Sequence, residues 1–334
     1  MCCSPETIPR KPGLRYPFGM SADANREGFR ILRSEPALLP IELLWRWSFG
    51  LGLLALLFLA YAHLRQAVLL SDADEIALTS QDPFAVAVSV SNLIAGALPL
   101  LLGTLAQICG LAAAFWIAAA TLGRGIITRT ILRRFASDSG VVIAPDAPRW
   151  TSFAILNLAR VLMLLILVSG YLGGSLIAAL VIEPGQDIIA SALIVFASLV
   201  VACIVWSYVN WVLSLAPLFV ARDGIAPLDA VVAAIAFIRR NRSKLRAVAF
   251  WNGTLRGIAA TVISIAGAFT VALHMTLPPW ITTALLVLET LAYIIVSDVF
   301  LLARLGVYAS VAVRELVLSQ AFPEAPDHYR QVAR

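Results

Sequence analysis

Five stretches of this chain run uncharged for about the length of a bilayer crossing: Trp47 to Leu64, Pro83 to Gly123, Val161 to Ile182, Ile188 to Ala221 and Gly257 to Leu288. About 20 apolar residues in a helix span the hydrocarbon core, and a spanning segment must satisfy its own backbone polar groups. A sixth segment, Ile281 to Ala303, has the right length but carries Glu289 and Asp298. Thr276, Pro278 and Pro279 mark a short turn that makes it the return partner of the fifth. Hydrophobic residues make up 60% of the chain and charged ones 13%, against about 25% charged in an ordinary soluble domain. The expected fold is all-α, a polytopic transmembrane helix bundle of about six spans with cytoplasmic amphipathic interfacial helices.

The formal charge of +5 is distributed by topology. The first 40 residues hold six basic side chains, and Arg65 to Asn92 holds one against the four acids Asp72, Asp74, Glu75 and Asp82. Arg124 to Trp150 then holds five, Glu183 to Asp187 none, Arg222 to Arg246 six, the turn at Pro278 none, and the segment from Arg304 onward four. This alternation follows the positive-inside rule, so the N terminus, both basic loops and the C terminus are expected in the cytoplasm of a bacterial plasma (inner) membrane. It also removes nucleic acid as a partner, because the basic residues are not interleaved with aromatics on one soluble face.

The expected division is a cytoplasmic, partly disordered tail over residues 1–40, a six-span domain over 41–320 and a cytoplasmic tail over 321–334. Spans are placed at about 43–64, 98–122, 154–182, 188–220, 250–276 and 280–304. Residues 1–40 lack the apolar core of a cleavable signal peptide. Phe84 to Ile94 is expected to be an interfacial helix that meets the second span near Pro99, a re-entrant segment being the competing account. Beyond that span, Ile127, Ile131 and Leu132 alternate with Arg129, Arg133 and Arg134 in an amphipathic extension. Cys109 and Cys203 fall within spans while Cys2 and Cys3 face reducing cytosol, so disulfides are not expected.

After the fourth span, Pro227 suits a first helical position, and Leu228, Val231, Val232, Ile235 and Ile238 repeat at helical spacing. Arg239, Arg240, Arg242, Lys244 and Arg246 follow. Such a helix either lies on the inner membrane surface with its basic residues at lipid phosphates, or packs its apolar face on the bundle. Arg46, Arg160 and Arg256 recur near the cytoplasmic ends of the odd spans, and Asn157 and Arg160 are echoed by Asn252 and Arg256. A three-hairpin repeat and three independent applications of the same insertion rules both account for this rhythm.

Within Ala216 to Arg242, a proline-bearing span end (Pro217) leads to an acid-glycine turn (Asp223, Gly224). An acid-alanine pair (Asp229, Ala230) and a basic exit (Arg239, Arg240, Asn241) follow. This stretch resembles the membrane domain of glycerophosphoryl diester phosphodiesterases and related bacterial multi-pass proteins, with Ala234 where that family often has serine. The resemblance implies a membrane module that anchors or regulates a partner. It does not imply the hydrolase chemistry, which in that family belongs to a separate soluble barrel with paired histidines and metal-binding carboxylates.

His63, His274 and His328 form no metal-ligand spacing, and the chain has no phosphate loop, serine elbow or helical metalloprotease motif. No metal and no cofactor are expected. The remaining candidates are ionisable and amide side chains inside spans. Counted at 1.5 Å per residue from the outer turns, Arg160 and Arg256 lie roughly 30 Å down and Asp298 roughly 27 Å down, so Asp298 is expected to pair with either arginine near the inner interface. Glu289, nine residues from Trp280, lies roughly 13 Å down. Its expected partners are Gln107, Tyr171 or Ser175, in a neutral interhelical contact. Asn210 joins Trp206, Tyr208 and Trp211 in a polar-aromatic group, and Gly103, Gly110, Gly173 and Gly174 are expected to allow close helix packing.

The leading functional expectation is a non-enzymatic scaffold, anchor or lipid-contacting module whose partners are the bilayer, anionic head groups and a further protein. The alternative is a small secondary transporter with Glu289 as an intramembrane proton or cation site. A membrane-embedded lipid enzyme would require Asn157, Arg160, Asn252, Arg256 and Asp298 to converge in a cavity.

Overall fold

The structure, a computed structural model, describes residues 21–67, 76, 79–80, 82–141, 143, 149–181 and 188–321. Most of the acidic 71–82 stretch, the 183–187 turn, Cys2, Cys3, His328 and the C-terminal tail lie outside them. Every regular element among the described residues is helical: α1 (Ser21–Ser34), α2 (Leu38–Ala67), α3 (Pro83–Ser139), α4 (Trp150–Val181), α5 (Ile188–Asp223), α6 (Pro227–Arg240), α7 (Arg242–Ala272), a 3-10 turn (Leu273–Met275) and α8 (Pro279–Ala321). Six of them, α2, α3, α4, α5, α7 and α8, are long and apolar enough to cross a membrane. The chain is an all-α, polytopic integral membrane protein.

Helix boundaries follow local chemistry. The α3 helix starts where the Asp82 carboxylate accepts the Phe84 backbone N–H at 2.9 Å and Pro83 fills the first turn. It ends where Gly140 adopts φ 66° and its N–H returns to the last-turn carbonyls. Between these caps it runs unbroken for 57 residues, roughly 85 Å. The expected separate interfacial helix before Pro99 is therefore absent, and Pro99 lies inside a continuous helix. One missing N–H does not end a transmembrane helix whose other backbone bonds are intact. Gly224, also at φ 66°, closes α5 and lets the chain turn into Pro227 at the start of α6.

The three consecutive helix pairs α2–α3, α4–α5 and α7–α8 each pack closely as hairpins, and α3 also touches α4, α5 and α8. Most of the large buried side chains gather at the end of the bundle that carries the basic loops. Ile127, Ile131 and Leu132 of α3, Leu215 and Leu218 of α5, Leu245 of α7 and Leu302 of α8 form this core. Toward the opposite end, Leu54, Leu102, Ile166, Phe196, Val262 and Val287 are exposed. The division is physical: lipid solvates an apolar side chain as well as a neighbouring helix does, so burial there gains little, whereas beyond the hydrocarbon water forces apolar surface inward. For the same reason the helices overrun the apolar stretches, α3 to Ser139 and α8 to Ala321.

Residues 21–34, within the stretch expected to be a tail, form α1, which lies along α8. The crossing is close. A Cβ on Gly28 would strike the Ala303 carbonyl, and one on Gly306 would come within 2.7 Å of Ile31 Cγ2. Phe29 meets Phe300 edge-on at 6.0 Å in the same interface. The glycines singled out from sequence do less: nothing lies within 4 Å of a Cβ built on Gly103, Gly110 or Gly173, and Gly174 meets only Ser198. Close packing instead uses Gly52 beneath the Phe115 ring and Gly123 beneath the Trp45 ring, in the α2–α3 hairpin.

Candidate functional site: a buried charged belt at the basic end

Glu42, Trp45 and Arg46 occupy one face of α2 at helical spacing. The Glu42 carboxylate accepts from the Trp45 indole N–H at 2.8 Å and from Arg46 Nε at 2.5 Å. The Arg46 guanidinium also reaches across to Asp298 Oδ1 on α8 at 2.7 Å. Glu42 and Asp298 are 2% and 1% exposed, so these are desolvated ionic contacts. The expectation that Asp298 pairs with Arg160 or Arg256 is thus corrected: α2 packs against α8 and brings Arg46 to it, while Arg256 acts on Asp298 only at longer Coulombic range.

Three further arginines surround this triad. The Arg124 guanidinium on α3 lies 5.9 Å from the centroids of both the Trp45 and Trp116 rings, and Arg304 on α8 lies 6.0 Å from that of Tyr308. Arg256 on α7 is half-buried, and its Nε is buried with no hydrogen-bond partner. Among nearby charges Arg124 feels first the Glu42 carboxylate and then Arg46 and Arg304, and Arg304 feels Arg256. None of the three has a carboxylate within ion-pair distance among the described residues. Four guanidiniums against two carboxylates leave two excess positive charges.

The belt continues through the second hairpin. Arg160, 5% exposed, donates from Nη2 to the Ser214 hydroxyl at 3.3 Å, while its Nε and Nη1 have no partner. Asn157, one turn earlier on α4, donates to Thr121 on α3 at 3.3 Å. Trp211 of α5 lies against Tyr308 of α8. Asn210, half-buried, contributes its backbone carbonyl to the Ser214 hydroxyl, and Asn252 donates to the Val248 carbonyl of its own helix. Asn157, Arg160, Asn252 and Asp298 are all buried. Of these, Asp298, Asn157 and Arg160 hold contacts between helices, whereas the Asn210 and Asn252 contacts stay within their own helices.

Glu289 stands apart. Its Oε1 accepts from Thr270 Oγ1 on α7 at 2.7 Å, and its Oε2 lies 3.4 Å from a Cβ built on Gly267. The expected partners Gln107, Tyr171 and Ser175 belong to other hairpins, and the contact closes α7 on α8 instead. Thr270 and Gly267 share one face of α7, the glycine leaving room and the threonine supplying the donor. Glu289→Gln should therefore change stability by less than about 0.5 kcal/mol, since the amide oxygen still accepts, while Thr270→Val should cost about 1 kcal/mol. Reversible unfolding in mixed micelles measures both, and equal losses would contradict this pairing.

The basic residues after α6 face outward. Arg239, Arg242, Lys244 and Arg246 are exposed, and Arg240 pairs with Glu315 of α8 at 3.2 Å, with Asn241 donating to the same carboxylate at 2.7 Å. The α6 helix itself buries Ala230, Ala234, Phe237 and Ile238 against the bundle while Leu228 and Val232 remain exposed. Of the two sequence alternatives, packing on the bundle holds for the face of Ala230, Ala234, Phe237 and Ile238, while a separate apolar edge stays outward.

Glu42, Arg124, Thr270, Arg304 and Glu315 are the participants that sequence reasoning missed. Glu42 could have been found from its four-residue spacing to Arg46 in an otherwise apolar helix. Arg124, Arg304 and Glu315 looked like ordinary loop or tail charges, and Thr270, inside the uncharged run from Gly257 to Leu288, carried no charge to mark it. No protein-family model, no curated protein and no solved structure matches the chain.

Proposed function

We propose that the chain is a non-enzymatic, lipid-contacting membrane module that serves as a scaffold or anchor for a protein partner in a bacterial plasma membrane, with both termini cytoplasmic. The observation that carries this reading is the outward surface of α6 and early α7, where exposed Leu228 and Val232 adjoin exposed Arg239, Arg242 and Arg246. That combination suits the boundary between acyl chains and anionic phosphates, where each basic residue contributes about 1 kcal/mol. The packed side of α6 fixes this surface rigidly against the bundle, as an anchor requires. The resemblance of Ala216 to Arg242 to a phosphodiesterase membrane domain fits the same role.

Glutamine at Arg239, Arg242 and Arg246 together should lower retention of phosphatidylglycerol by the purified protein roughly tenfold or more, with phosphatidylcholine retention unchanged. Native mass spectrometry of the protein released from mixed micelles reads both. Undiminished phosphatidylglycerol retention would eliminate the reading. Arg240 is left intact because its bond to Glu315 holds α6 to α8.

A further inference from the structure

A cavity of about 340 Å³ is walled by Phe29, Leu32 and Arg33 of α1, Pro36 of the turn that follows, Leu39 of α2 and Val299 of α8. We propose that it binds an acyl chain of an anionic phospholipid, with the lipid phosphate on the Arg33 guanidinium. This rests on the chain being a lipid-contacting module but not on the outward surface of α6 and early α7, since no wall residue belongs to either helix.

Four observations converge. First, the walls are held in place. Gly28 and Gly306 let α1 press onto α8, and the Phe29 ring meets Phe300 at 6.0 Å. The turn is closed by the Glu35 N–H on the Ile31 carbonyl at 2.9 Å and the Leu38 N–H on the Glu35 carbonyl at 3.1 Å. A site formed in advance demands less ordering when its ligand arrives. Second, five of the six wall residues are apolar, so a polar ligand seated there would leave its own groups unpaired. The volume lies at the small end of ligand sites, and a single turn of helix, roughly 10 Å across and 5.4 Å long, already exceeds it. An extended hydrocarbon chain fits where a folded partner does not. Third, Arg33 is exposed and has no carboxylate within ion-pair distance among the described residues. Neighbouring acids are engaged elsewhere, Glu27 with Arg30 at 3.6 Å and Glu35 with Arg134 at 4.0 Å. A guanidinium left in this way matches the geometry and charge of a phosphate. Fourth, Val299 lies about 20 residues along α8 from Pro279, roughly 30 Å, which is one hydrocarbon thickness. The cavity therefore sits where acyl chains meet head groups. Because the bilayer solvates an acyl chain as well as the cavity does, the chain supplies the fit and Arg33 selects the lipid.

The test uses the full chain in neutral-detergent micelles with a phosphatidylglycerol that carries a photoactivatable diazirine near the middle of one acyl chain. After irradiation, peptide mapping should place the label on residues 29–39 and beside Val299, and unlabelled phosphatidylglycerol should compete it away. Phosphatidylcholine, whose choline cancels the phosphate charge, should compete roughly fivefold less well, the worth of one basic residue at head-group level. Arg33→Gln should weaken labelling by the same factor of roughly five. Arg33 is exposed, so this variant should keep the wild-type helicity and thermal midpoint. Leu39→Trp, which fills the cavity, should remove the label with Arg33 intact. The Arg239, Arg242 and Arg246 glutamine variant should label the cavity as the wild type does, which separates failure of this site from failure of the outward lipid surface. A wild-type protein without label at residues 29–39 and Val299 would overturn the proposal, as would equal competition by the two lipids or an Arg33→Gln variant that labels like the wild type.

Discussion

Replacing Asp298 with alanine should destabilise the folded bundle by roughly 3–5 kcal/mol, the largest single effect expected in this protein. Asp298 is 1% exposed and meets Arg46 at 2.7 Å, within a group of four guanidiniums and two carboxylates that already holds two excess positive charges. Its removal raises that excess to three and leaves Arg46 with Glu42 alone. Arg46, whose side chain is 27% exposed, recovers part of this loss by hydration, which keeps the expected cost within that range. Asp298→Asn separates charge from shape: the amide fills the same volume yet cannot offset the guanidiniums, so most of the loss should remain. Unfolding in mixed micelles, followed by helicity and by tryptophan fluorescence, measures both variants. A cost below about 1 kcal/mol for Asp298→Ala would show that the triad is solvated and that the charge argument fails.

Phe237→Ala should cost about 3 kcal/mol, near the lower end for a buried phenylalanine in a well-packed site. Phe237 is fully buried on α6, with its ring edge-on to Phe219 of α5 at 5.4 Å and 70°. The usual transfer gain shrinks where lipid can replace a lost neighbour. This pair, however, sits in the water-facing core with Leu215 and Leu218, where a cavity stays empty and its lining loses contacts outright. The consequence should reach function, because α6 is held to α5 chiefly by that buried face and carries the outward arginines. The variant should therefore both melt earlier and retain less phosphatidylglycerol, whereas Phe237→Leu, which keeps most of the volume, should do neither to more than about half the extent.

The span count was legible because hydrocarbon imposes a length and a charge rule on every crossing, and both are one-dimensional properties of the chain. Helix extents were not, since α3 and α8 continue past the membrane on amphipathic patterns that an apolar window discards. Asp298 was singled out by depth, yet its partner could not be read, because which arginine reaches it depends on α2 packing against α8. Glu289 shows the same limit: depth identified it, and only the α7–α8 contact showed Thr270 as its donor. The glycines failed in the opposite direction. Gly103, Gly110 and Gly173 looked suited to close packing but face open space, while Gly28, in a stretch expected to be a tail, is pressed against α8. Small residues allow approach only where a partner helix arrives, and sequence spacing does not say where that is.

The proposed orientation puts the packed, basic end of the bundle on the cytoplasmic side. Single cysteines at Thr79, between α2 and α3, and at Ser243, at the start of α7, test it in a background where the four native cysteines are replaced by serine or alanine. With a membrane-impermeant thiol reagent, the Thr79 site should be labelled in intact cells and the Ser243 site only after the inner membrane is opened. Labelling of the Ser243 site in intact cells, with the Thr79 site protected, would place the charged belt on the outer side and contradict the account.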